Sequence, residues 1–245
     1  MTNFQRFIDL IEIAEVHKVL LDIKEKYISC SYVDDQDTVV GKVKMRGNPF
    51  QISDVSVAIS QLPILKRILS NFENPSLKLE YNEYNLNDRE PKSIIIEEDN
   101  IKSQFILSYT NKIKTVKGID NIDQDPIIEL DITEEIKDKI YKLSNALSSQ
   151  NNYFMFKSIE NNLYMIFGEF SEGRYVAYNN ISYNFNIEVS TNFTLKFDTK
   201  SMNKILLKNK EFKTSFILYD ELLQISNISD DFKTKYFLKK IHDNT

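Results

Sequence analysis

Residues 193–208 read Phe193-Thr194-Leu195-Lys196-Phe197-Asp198-Thr199-Lys200-Ser201-Met202-Asn203-Lys204-Ile205-Leu206-Leu207-Lys208. Phe193, Leu195 and Phe197 alternate with polar residues, the two-residue period of a strand with one buried side. At Asp198 the period changes. Met202, Ile205 and Leu206 fall three and four apart, which is helical spacing, and an aspartate in front of them can accept from the unpaired N–H groups of a first turn. The same succession of apolar strand, polar residue and compact helix recurs at Ile59-Ser60 and Leu130-Asp131, each time followed by further strand-like segments. The chain therefore repeats a β-α-β-β-β unit, and the expected class is α+β with helices on one face of antiparallel sheets.

Working outward, Phe4, Phe7, Ile8, Ile11 and Ala14 predict a first helix from Phe4 to about Ala14. Strands are expected at His17–Ile23, Lys26–Val33, Thr38–Met45 and Val55–Ile59, then a helix at Gln61–Asn71 that tolerates Pro63 in its first turn. Leu77–Tyr81, Ser93–Glu97 and Ile101–Tyr109 read as strands around a polar loop, Asn82–Lys92. The pattern breaks between Thr110 and Pro126, which places a linker at 111–125 between domains at 1–110 and 126–245. Ile113, Val116, Ile119 and Ile122 recur every three residues in that linker, so one of its sides is expected to dock. In the second half, Ile127–Leu130 leads through Asp131 into a helix with Ile136, Ile140, Leu143 and Leu147 on one face. Strands follow at Tyr153–Ser158, Leu163–Phe167 and about Tyr175–Ile187, and after the fourth helix at Phe212–Tyr219, Leu222–Ser226 and Lys233–Lys239.

Composition excludes most chemistry. At 245 residues and 42% hydrophobic content the chain can bury a full core. It contains no apolar run long enough to span a bilayer and no basic-then-apolar amino terminus, so the expected location is cytoplasmic, the host cytoplasm if the protein is viral. One cysteine, Cys30, rules out an internal disulfide and reads as a small apolar strand residue. Two histidines, His17 and His242, are too scattered for a catalytic or metal constellation, and none of the five glycines builds a phosphate-cradling loop. The carboxylate clusters Asp34-Asp35 and Glu97-Glu98-Asp99 read as solvated turns, with cation binding the lesser reading. No catalytic residue, cofactor or metal is expected, and the protein reads as a non-enzyme.

The net charge of −5 argues against a surface that grips nucleic acid everywhere, but a polyanion responds to where the lysines sit. Lys200, Lys204 and Lys208 form one stripe on the fourth helix with no acid between them. The second helix adds Lys66 and Arg67, the third Lys137, Lys139 and Lys142 among acids, and the first Arg6 beside Asp9 and Glu12. On a single helix such a stripe is ordinarily a solvated face; its repetition on a chain that is otherwise acidic points to helices that meet phosphates without reading base sequence.

With these residues in view the chain resembles the DNA polymerase sliding clamps, and among them the clamps of T-even-type bacteriophages and the proliferating-cell clamps. The similar stretches are Ser53–Ile59 continuing through Leu65–Leu69, Ile128–Leu147, and Lys235–Leu238 near the carboxyl end. The resemblance implies two clamp domains of two β-α-β-β-β units each, three copies closing head to tail into a ring around duplex DNA, and Arg6, Lys66, Arg67, Lys137, Lys139, Lys142, Lys200, Lys204 and Lys208 facing the DNA. It implies subunit contacts near Phe105, Leu107 and Tyr109 and near Tyr175, Ala177 and Tyr183. A partner-peptide pocket is expected at Val40, Ile113, Val116, Ile119, Ile122 and Leu238, where ordinary linker docking is the competing reading. The partners implied are a DNA polymerase, an ATP-driven clamp loader and, as the phage clamps allow, transcription factors, with no membrane partner. The acidic first helix departs from the family, whose inward helices are basic. The competing function is a viral structural or assembly protein that oligomerises without enclosing DNA.

Overall fold

Alternation and helical spacing become real elements where the apolar residues find one another. The computed structural model describes residues 1–13, 16–81, 90–114, 116, 122–147, 152–168 and 179–242. In chain order, its elements begin with α1 (Asn3–Ile11), β1 (Val19–Ile23), β2 (Tyr27–Val33), β3 (Val39–Arg46), β4 (Val55–Ile59), α2 (Leu62–Leu69), β5 (Ser76–Tyr81), β6 (Pro91–Glu98) and β7 (Ile101–Ile106). They continue with β8 (Ile128–Ile132), α3 (Glu134–Ala146), β9 (Tyr153–Ile159), β10 (Asn162–Gly168), β11 (Asn180–Glu188), β12 (Thr194–Asp198), α4 (Thr199–Lys208), β13 (Lys213–Leu218), β14 (Leu222–Ile228) and β15 (Phe232–Lys239). Two compact units result: Met1–Asp123 with Asn227–Tyr236, and Gln124–Ser226 with Phe237–Thr245.

In the first unit the strands run β4-β1-β2-β3 with β15 beside β3, and a second sheet is ordered β5-β6-β7. The pairings β1–β2, β1–β4, β2–β3, β5–β6 and β6–β7 are all antiparallel. Val19, Leu21 and Ile23 of β1 are buried, as are Ile28, Cys30 and Tyr32 of β2, so the alternation read from sequence is the pleat itself. Gly41 stands opposite Tyr32 because the Tyr32 ring occupies the space; an added Cβ would meet its Cζ at 2.2 Å. α1 presents Phe4, Phe7, Ile8 and Ile11 inward, and the Tyr236 hydroxyl donates to the Leu10 carbonyl at 3.0 Å, so a residue 226 positions away fastens this helix.

In the second unit one sheet is ordered β11-β10-β9-β12, and β14, β13 and β8 lie side by side in another. β9 and β10 turn back on each other through Glu160 and Asn161, whose positive φ values of 49° and 62° suit the right-handed twist of a tight hairpin. The core here is aromatic: Phe154 lies against Phe197 at 5.8 Å between ring centroids, and Phe156 meets Phe216 edge-on at 6.3 Å. Each fully buried ring of this kind contributes about 1.5–3 kcal/mol of apolar transfer.

Helix starts differ from expectation in two of the three junctions. Asp198 caps α4 as read, its carboxylate accepting from the Ser201 N–H at 2.6 Å. Ser60 does not cap α2; the cap position is Gln61, which makes no side-chain capping bond, and Pro63 in the first turn lacks an N–H to satisfy. Asp131 lies inside β8, and Thr133 caps α3 by accepting from Ile136 at 3.3 Å. Pairing with β13 carries β8 two residues past Leu130, which moves the cap from the carboxylate to the next hydroxyl. Pro91, read as loop, opens β6, where a missing N–H is tolerated. β7 stops at Ile106, and Thr110–Lys112 form a short turn of 3-10 helix.

Candidate functional site

The first helix pair is bound by charge. Thr2 and Gln5 form a reciprocal capping box at the start of α1, with the Thr2 N–H donating to Gln5 Oε1 at 2.6 Å. The Gln5 amide then donates to the carbonyls of Leu69 and Phe72 at 2.7 and 2.8 Å, adding a second bond to the Leu69 carbonyl, which also accepts from the Phe72 N–H, at the end of α2. Lys66 of α2 reaches across to Asp9 at 3.0 Å and also bonds Glu12, while Arg6 pairs with Asp9 at 3.4 Å. Partial burial pulls the Lys66 ammonium down, but its bonds to Glu12 and Asp9 together outweigh that and hold it above the ordinary lysine value. Arg67 is exposed, with no acidic partner among the described residues.

In the second pair one lysine leaves the surface altogether. Lys137 is 5% exposed, and its ammonium donates to the main-chain carbonyls of Lys210 at 2.9 Å, Asn209 at 3.5 Å and Phe212. Lys137 is therefore removed from the set expected to face DNA: it closes the carboxyl end of α4, where main-chain carbonyls and the helix dipole both favour a cation. Burial lowers its pKa below the ordinary value. Lys139 is exposed and paired with Glu135 at 2.7 Å, and Lys142 is exposed. Ser144 donates to Asn203 Oδ1 at 2.8 Å and ties α3 to α4. On α4 the buried side is Met202, Ile205 and Leu206; Lys200 is exposed and Lys204 and Lys208 are half-buried on the other. No acid interrupts Thr199–Lys208.

Two sheet edges fall near the expected subunit contacts. β7 ends the β5-β6-β7 sheet and β11 ends the β11-β10-β9-β12 sheet. Phe105 faces the core of its own unit at 4% exposure, whereas Ile106 and Tyr109 are 58% and 62% exposed and Leu107 is half-buried. Tyr183 is half-buried on β11, stacked edge-on to Phe185 at 4.9 Å; Tyr175 and Ala177 lie outside the described residues.

A cleft of about 780 Å³ lies in the first unit beside the start of the linker, lined by Tyr32, Val33, Asp34, Lys112, Lys114 and Val116 among others. Its wall is shaped by Asp34, which was expected to be solvated and is instead buried: its carboxylate accepts from the Thr38 and Val39 N–H groups at 2.6 and 2.9 Å and fixes the β2–β3 turn. An aspartate that precedes a turn can satisfy the turn's own N–H groups, which is the signal the cluster reading missed. Asp35 pairs with His17 at 2.7 Å on the rim. Of the residues expected to form a peptide pocket, Val116 lines this cleft, Val40 is half-buried on β3, and Ile113 is buried. Leu238 is buried and belongs to the second unit, Ile122 is half-buried, and Ile119 lies outside the described residues.

Glu97 and Glu98 of the other cluster are engaged as well. Glu97 pairs with Lys102 at 2.7 Å and Lys78 at 3.3 Å, and hydrogen bonds from these two lysines lower its pKa. Glu98 accepts from the Glu73 N–H at 2.8 Å and from Asn74. The Cys30 thiol is buried, and burial raises its pKa. Among the described residues no group of carboxylate, histidine and cysteine side chains could hold a metal, and no helix is long and apolar enough to cross a membrane.

No family model matches the sequence, and no curated protein is similar to it in sequence. The fold is another matter. It is similar to A. fulgidus PCNA, solved with the C-terminal region of FEN-1 bound, with a TM-score of 0.73 over 100% of this chain and 98% of that one at 12% identity. It is also similar to Proliferating Cellular Nuclear Antigen from Entamoeba histolytica, with a TM-score of 0.68 over 98% and 95% of the two chains at 16% identity. The chain has a PCNA-like clamp fold, with antiparallel sheets and four helices among the described residues.

Proposed function

We propose that this protein is a DNA sliding clamp: copies of the chain, three to a ring, encircle duplex DNA and tether a DNA polymerase for processive synthesis. The observation that carries this reading is the end-to-end fold likeness to PCNA, which spans both units. β7 and β11, each the last strand of its sheet among the described residues, are the surfaces through which neighbouring copies would pair by main-chain hydrogen bonds. Lysine-bearing α4 supplies diffuse, screened contacts to phosphates, enough to centre a duplex and too weak to stop it sliding. The cleft beside Val116 is the docking place for a short peptide of the polymerase, which turns repeated encounters into an intramolecular event at high effective concentration. An ATP-driven loader opens one subunit junction to admit DNA, and the protein itself performs no reaction.

The test is topological. After loading, the protein should stay on a closed circular duplex and leave when the circle is cut once; a solution mass of three chains of 28.8 kDa should accompany this. Retention that is indifferent to cutting, or a strict monomer, overturns the reading.

A further inference from the structure

The two sides of the first unit's sheet differ in charge. α1 packs on β3 and the Tyr236 hydroxyl of β15 reaches the Leu10 carbonyl, so the α1 side buries Val43 and Met45 of β3 and Thr234 and Tyr236 of β15. Alternation turns Lys42, Lys44 and Arg46 of β3, and Lys233 and Lys235 of the adjacent β15, to the opposite side. There β2 shows Tyr27, Ser29 and Ser31, directly opposite Arg46, Lys44 and Lys42. Residues two apart on a strand are separated by about 6.8 Å and neighbouring strands by about 4.8 Å, so these cations share one small field. The chain as a whole carries a net charge of −5.

Arg46 and Lys233 are exposed and Lys44 and Lys235 half-buried, and among the described residues none of these four is held in an ion pair. Lys44 lies over the Tyr27 ring, 3.6 Å from its centroid. Asp22, on the same side, stands beyond β2 opposite Ser29 and accepts from the Ser56 hydroxyl at 2.9 Å. Glu25, Asp230 and Asp231 sit in the turns at the Arg46 end, where Asp231 accepts from the Asn3 amide at 3.3 Å.

We propose that this side of the sheet binds the backbone of single-stranded nucleic acid, with Lys44, Arg46, Lys233 and Lys235 as phosphate ligands and Ser29 and Ser31 as hydroxyl donors beside them. A protein partner needs an apolar or aromatic anchor in a pocket, and the centre of this field offers serines and cationic heads instead. Phosphates need no such anchor: lysine and arginine heads release counterions on contact, and serine hydroxyls donate to the same oxygens. A flexible strand can lay consecutive phosphates along the rows of cations, whereas a rigid duplex curves away from a sheet. The field lies across the sheet from α1, apart from the helical face that the clamp reading gives to duplex DNA, and it stands without that reading.

The experiment measures binding of the full chain to a fluorescent oligothymidine of about 12 nucleotides, by anisotropy across about 50 to 200 mM salt. Lys44→Gln with Lys235→Gln should weaken binding and flatten the slope of log affinity against log salt by about 1.4, since each single-strand phosphate contact contributes about 0.7. Adding Lys233→Gln should bring that loss to about 2.1. A parent chain that fails to bind at the lowest salt, or a triple variant with the parent's affinity and slope, overturns the site. An equal loss from Lys200→Gln with Lys204→Gln and Lys208→Gln, which removes the same charge from α4, makes net charge the cause and also overturns it. Poly-glutamate that displaces the strand more effectively, charge for charge, than unlabelled oligothymidine gives the field to an acidic protein and has the same force. Circular dichroism confirms that each variant is folded; should the triple variant not fold, Lys233→Gln alone should cost about 0.7 in slope, and an unchanged slope there is fatal to the proposal. Retention on circular duplex is read separately, so failure of the clamp reading is not mistaken for failure of this site.

Discussion

Gln5 and Lys137 occupy corresponding places in the two units and do the same job with different chemistry. Each sits in the first helix of its pair and donates to carbonyls at the carboxyl end of the second: Gln5 to Leu69 and Phe72, Lys137 to Asn209, Lys210 and Phe212. The repeat thus keeps the physical requirement, that carbonyls at the helix end meet a donor, and not the residue that meets it. A neutral amide completes two bonds with little desolvation. An ammonium completes three and favours the helix dipole, but its charge is taken out of water to do so. The choice has a surface consequence too, because Lys137 is lost as an exposed cation while the first unit keeps its lysine outside and neutralises it with Asp9 and Glu12.

The largest effect should come from Lys137→Ala, which removes a buried apolar stem together with three main-chain contacts and takes the ammonium from the Lys210 carbonyl, and should lower stability in urea by about 2–4 kcal/mol. Gln5→Ala removes two neutral bonds to α2 and one to the Thr2 N–H, and should cost about 1–2 kcal/mol in the same assay. Equal costs at the two positions would break the distinction between a charged and a neutral closure. Lys137→Met sharpens it by keeping the apolar stem and losing only the donor.

A pH series separates the two lysines by sign. The folded pKa of Lys137 lies below its ordinary 10.5, so its charge opposes folding, fully so below the folded value, and the penalty fades as pH rises from that value to 10.5. The parent chain should therefore gain on Lys137→Met as pH climbs toward 10.5. Lys66 has a folded pKa above 10.5, so its contribution is whole below 10.5 and disappears as pH rises through the raised value; the parent should lose ground to Lys66→Met only there. Curves of stability difference against pH with the same slope for both substitutions would contradict the assignment. The smallest effect is expected for Asp9→Asn with Glu12→Gln, about 1 kcal/mol or less, because partly exposed ion pairs contribute little to stability.

The sequence by itself determined the strand and helix succession, the four helices, the inward faces of α1 and α4, the burial of Cys30 and the cap at Asp198, because each depends on period or on neighbours a few residues away. It also supplied the resemblance to clamps, and the fold likeness to PCNA agrees with it at the level of architecture. Only the tertiary structure decided which charges remain available. Lys137 meets acceptors 72 to 75 residues away, Lys66 meets Glu12 across 54, and Asn227–Tyr236 returns to the first unit from the far end of the chain. A lysine on a helix face has the same local signature whether it ends in water, against a carboxylate or among carbonyls. Its fate is set by the partner that packing brings within 3 Å or so, and no local period encodes that distance.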